Sequence, residues 1–169
     1  MNSIRAVIVG SIIFALSGLA AWAVDVSGTY ENSGTALSTS LEEPAGAVPF
    51  RGLLGLEFDL PLARALHSGT DKVTNTQTGS SFTIECKDAD GGQTWSGRWK
   101  IGEGYGIEAN QVKLVFRSKR YEFDGFYFLL STVSEQKLLL VEVQRVQTTW
   151  LGPVIKPLGT FLFERTTRN

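Results

Sequence analysis

The side chains best able to do chemistry in this 169-residue chain are few: one histidine, His67, and one cysteine, Cys86. A serine or cysteine nucleophile needs a positioned base, usually histidine. No Gly-x-Ser-x-Gly elbow presents a serine, and His67 reads as a cation placed at a helix C-terminus. One His and one Cys cannot make up a zinc site of ordinary composition. Glu57 and Asp59 have the types for an acid and a base in glycoside chemistry. Two acids just ahead of a helix also make an ordinary N-terminal cap, which is the simpler reading. "DADGG", Asp88 to Gly92, lacks calcium-loop spacing: Gln93 stands sixth and Trp99 twelfth, where glycine and glutamate are needed. "GEGYG", Gly102 to Gly106, leads into a strand and not a helix, so it offers phosphate no helix N-terminus. These residues predict a protein that is not an enzyme and uses no metal or cofactor.

The elements that carry these residues begin with an export signal. Met1 to Arg5 form a short basic start, Ala6 to Ala21 an apolar run, and Ala21-Trp22-Ala23 sets small residues at the −3 and −1 positions of a cleavage site. Residues 1–23 are expected to be removed, which gives a periplasmic or secreted chain starting at Val24, with no stable membrane insertion. Of 16 basic residues this removes only Arg5, against 17 acidic ones. With no run of like charge, neither nucleic acid nor an anionic membrane is an expected partner. A single cysteine cannot form an internal disulfide, and Cys86 shares a strand face with Phe82 and Ile84, as a buried thiol would.

Residues 24–169 have the length of one domain. Eighteen glycines and 11% aromatic residues favour an all-β chain. Val26 to Asn32 is the first expected strand. Residues 33–52, rich in Ser, Thr, Gly, Ala and Pro, read as a long loop. A short helix is expected over Leu60 to His67, between Asp59 and Gly69. From Thr70 the pattern is a meander of hairpins, with Asp90-Gly91 as one turn and "SEQ", Ser134 to Gln136, as another. "WLGPVIKP", Trp150 to Pro157, interrupts the strands as a stiff connector. About eight strands in sequential order predict an antiparallel up-and-down barrel or a strongly curled sheet. In "FDGFYFLL" both strand faces are apolar, so both need cover, and the helix is the natural cover for the outer one.

"SGTYEN" resembles the Gly-x-Trp start of the calycin families (lipocalins, avidins and fatty-acid-binding proteins), with Gly28 and Tyr30 in the matching positions. The resemblance implies a barrel whose floor is closed by Tyr30, with Arg165 of "FLFERT" packed across it. "TWSGRW", Thr94 to Trp99, is similar to an avidin stretch. Four more strands follow it here, so the likeness implies a barrel and not a biotin site. The expected family is therefore a lipocalin-like bacterial secreted protein.

Two functions follow. In the first, a small apolar or amphipathic ligand sits inside the barrel, met by Trp95, Trp99, Tyr127 and Trp150. In the second, the core is filled and the chain is an envelope protein-interaction or inhibitor module, with Trp150, Ile155 and the outer Phe face as contacts.

Overall fold

A computed structural model describes residues 24–41, 47–55, 69–117 and 124–166. The chain is all-β, with ten strands in one antiparallel sheet. The strands are β1 (Gly28–Thr39), β2 (Val48–Pro49), β3 (Lys72–Gln77), β4 (Ser81–Lys87), β5 (Gln93–Lys100), β6 (Tyr105–Glu108), β7 (Gln111–Arg117), β8 (Asp124–Val133), β9 (Leu138–Thr149) and β10 (Gly152–Arg165). One five-residue helix, α1 (Phe50–Leu54), follows β2. The order across the sheet is β5-β4-β3-β1-β10-β9-β8-β7-β6, with β2 beside β1. The first and last strands of the domain thus meet at its centre, and β5 and β6 form its edges.

Alternation explains which face turns inward. Phe82, Ile84 and Cys86 on β4 are buried, as are Val112, Leu114 and Phe116 on β7. The same holds for Phe126, Phe128 and Leu130 on β8, for Leu139, Val141 and Val143 on β9, and for Phe161 and Phe163 on β10. Each large apolar side chain buried this way contributes about 1.5–3 kcal/mol. The sheet curls around this filling without closing: no ladder joins β5 to β6 among the described residues. Rings bridge the seam instead. Trp99 of β5 lies 4.8 Å from Phe116 of β7, and Phe82 of β4 lies 5.9 Å from Tyr105 of β6.

Three expectations are corrected. Residues 33–52 are not one long loop: β1 runs on to Thr39, and β2 and α1 occupy residues 48–54. Their alternation is masked because small residues face large ones across the ladder, with Gly34 opposite Phe163 and Ala36 opposite Phe161. A side chain at Gly34 would collide with the Phe163 ring. "WLGPVIKP" is not a connector either. Trp150 and Leu151 are a two-residue turn, and Gly152 to Pro157 begin β10. Proline is tolerated there because, among the described residues, that stretch of β10 pairs with β9 alone. The strand count rises from eight to ten through β2 and the short β6, which begins within "GEGYG".

The helix expected over Leu60 to His67, with Glu57, Asp59 and His67, lies outside the described residues, as does the signal segment 1–23. The helix that is described lies against the inner face. Phe50, Leu53 and Leu54 are buried, and the Phe50 ring meets Phe163 edge-on at 4.8 Å.

Candidate functional site

The residues expected to close the floor come together. Tyr30 is fully buried, and its hydroxyl donates to the Val26 carbonyl at 3.1 Å. Arg165 stands opposite Tyr30 in the ladder, and its guanidinium lies over Gly28, where a Cβ would come within 2.6 Å of Nε. One Arg165 amine donates to the Ser27 carbonyl at 2.8 Å. Gln77 accepts from the Val26 N–H and donates to the Val24 carbonyl, which holds the segment before β1 under the sheet. Burial raises the Tyr30 pKa, opposed in part by the Arg165 charge.

Trp95 and Trp99 also come together, on the inward face of β5 with ring centroids 6.3 Å apart. Their indoles fold over Gly97, where an added Cβ would sit 2.6 Å from each ring. The Arg51 guanidinium of α1 lies 5.1 Å from the Trp95 ring centroid. Cys86, paired with Trp95 across the ladder, is fully buried, and desolvation pushes its thiol up to about 12 against a smaller opposing effect of Arg51. A thiol held protonated is a weak nucleophile.

Tyr127 and Trp150 do not join this pair. Tyr127 alternates with the buried Phe126 and Phe128, so it faces outward, and Lys113 Nζ sits 4.2 Å from its ring centroid. Trp150 stands at the far tip of the β9–β10 hairpin and is 92% exposed. Among the described residues, no pairing to β8 or β1 continues along this hairpin beyond the Asp124–Gln147 and Thr39–Gly159 pairs. At its tip Thr149 Oγ1 donates to the Gly152 carbonyl at 2.7 Å, and Gly152 takes a φ of +113° that glycine alone adopts readily. Leu151, Val154 and Ile155 are exposed beside Trp150. Lys156 is the only charged residue from Gln147 to Pro157.

Asp88 and Asp90 belong to a turn. Asp88 Oδ1 accepts from the Asp90 and Gly92 N–H groups, and Gly91 has a φ of +86°. No group of three or more metal-ligating side chains occurs among the described residues. No described helix is long and apolar enough to cross a membrane.

Sequence reasoning passed over Asn75. It occupies an inward position of β3, two residues after Val73, and is 1% exposed. A polar residue in an inward slot of "KVTNTQ" was the available signal. No protein-family model matches the chain, and no curated protein matches it in sequence.

Proposed function

We propose that this chain is an exported, non-enzymatic protein-interaction module: a filled β-scaffold of lipocalin-like kind that presents the tip of the β9–β10 hairpin to a partner protein of the cell envelope. The observation that carries this reading is the tip itself, with Trp150 92% and Leu151 78% exposed at the turn of the long β9–β10 hairpin. Apolar groups left in water at a protruding position gain most from a partner that buries them. Tryptophan is enriched among the anchor residues of protein interfaces, whose centres are poor in charge. Here the apolar residues are framed by Gln147, Thr148 and Thr149, without the basic cluster an anionic bilayer would attract.

The backbone supports side-chain docking over strand addition. Pro153 and Pro157 have no N–H to offer on the free side of β10, which blunts that edge against pairing. Contact therefore falls to Trp150, Leu151, Val154 and Ile155. The inner face favours a scaffold, since α1 and the large inward side chains occupy it. The rival reading, a small apolar ligand held inside the curl, draws on one feature: Trp95 and Trp99 are only half-buried beside the seam between β5 and β6.

Native mass spectrometry of the protein, isolated gently from its producing cell, separates the two. A stoichiometric protein complex that Trp150→Ala abolishes, with the fold kept, supports the module. A small adduct that survives Trp150→Ala and is released on denaturation overturns it in favour of the carrier. The intact mass also reports whether the chain begins at Val24.

A further inference from the structure

The end of the sheet opposite the hairpin tip carries an open cleft of about 620 Å³, a size that suits a small organic ligand. Its lining includes Gly28, Asn75, Arg165 and the β8–β9 turn at Glu135 to Lys137. Two features of this lining lack an internal explanation. Asn75 is buried, yet neither its Nδ2 nor its Oδ1 has a hydrogen-bond partner among the described residues. A buried amide left unpaired is costly, and native proteins rarely keep one without use. Arg165 gives its hydrogen bonds to the neutral oxygens of Ser27 and Gln136, and no carboxylate pairs with it among the described residues. The two groups are neighbours: Asn75 is paired with Gly28 across the ladder, and the guanidinium lies over that same Gly28.

We infer that this cleft binds a small monocarboxylate, with Arg165 facing the carboxylate and the Asn75 amide completing its hydrogen bonds. Guanidinium matches a carboxylate by geometry as well as charge. Asp25 and Glu135 line the cleft together with Arg165 and Lys137, and this near-balanced charge favours a singly charged carboxylate over a multiply charged anion. The turn that forms one wall is itself strained: Ser134, Glu135 and Gln136 have φ values of 52°, 56° and 67°, three successive non-glycine residues in the left-handed region. It is held by the Arg165 backbone N–H donating to the Lys137 carbonyl at 2.8 Å, while the guanidinium donates to the Gln136 carbonyl at 3.4 Å. This site is independent of the hairpin tip and stands whether or not the tip docks a protein.

The test is an NMR titration of the full-length protein with sodium acetate, matched in ionic strength by sodium chloride and followed by sodium phosphate. Saturable shifts of the Asn75 Nδ2–H and Arg165 Nε–H signals with acetate alone are expected. Equal shifts with chloride, or none with acetate, overturn the site. Asn75→Leu sharpens the result: it removes an unpaired amide, so the fold should be as stable or more so, while acetate binding weakens roughly tenfold or more. A marked loss of stability in that variant would show Asn75 to be a structural residue and would overturn its role in binding.

Discussion

The two ends of the sheet treat side chains in opposite ways. At the floor, Tyr30, Arg165 and Gln77 tie the first and last strands and the N-terminal segment together through buried or half-buried hydrogen bonds. At the β9–β10 tip, only the backbone ladder and one threonine hydroxyl give order, and the large apolar side chains face water. Tryptophan shows the contrast within one residue type: Trp99 packs on Phe116, while Trp150 is 92% exposed. The difference teaches that the fold does not depend on its most exposed apolar residues, which leaves them open to serve another purpose.

The comparison breaks first if the inner face is less important than its burial implies. Phe163 is fully buried between the Phe50 ring and Gly34, so Phe163→Ala should cost about 3–5 kcal/mol in denaturant unfolding. Gly97→Val tests the seam. The added side chain must displace both indoles from β5, at about 1–3 kcal/mol, with a red shift of tryptophan fluorescence as they move into water.

Alkali tests the interior chemically. The folded pKa of Cys86 is raised to about 12 from 9.0, so its stabilising effect is whole below pH 9 and is lost as pH climbs toward 12. Unfolding free energy should fall above pH 9 by up to about 1.4 kcal/mol per pH unit. Tyr30, also raised by burial, adds to the loss above pH 10. Cys86→Ala should flatten the first part of that slope. The smallest effect belongs to the tip: Trp150→Ala and Leu151→Ser should each change stability by less than about 0.5 kcal/mol. A larger loss would make the tip part of the scaffold and erase the contrast.

Period-two alternation made β4 and β7 legible, because their inward residues are large and apolar and their outward ones mostly polar. That Gly28, Tyr30 and Arg165 would lie together was legible only through the resemblance of "SGTYEN" to the calycin start, because Arg165 stands at the other end of the chain. The second half of β1 was not, because Gly34 and Ala36 leave their space to Phe163 and Phe161 from a strand more than a hundred residues away. Likewise "GPVIKP" carries two prolines that read as a break until it is known that, among the described residues, β10 pairs only with β9 there. Tyr127 lines no interior for a reason alternation already contained: it is out of phase with Phe126 and Phe128. The unpaired state of Asn75 depends on what three strands fail to offer it, which no single stretch of sequence encodes.

The most direct test of the interaction reading is photo-crosslinking in the producing cell, with a benzophenone side chain at position 150 and, as a control, at exposed Ile107. The account predicts one discrete protein adduct from position 150 and none from position 107. Adducts to lipid alone, or the same adducts from both positions, would contradict it.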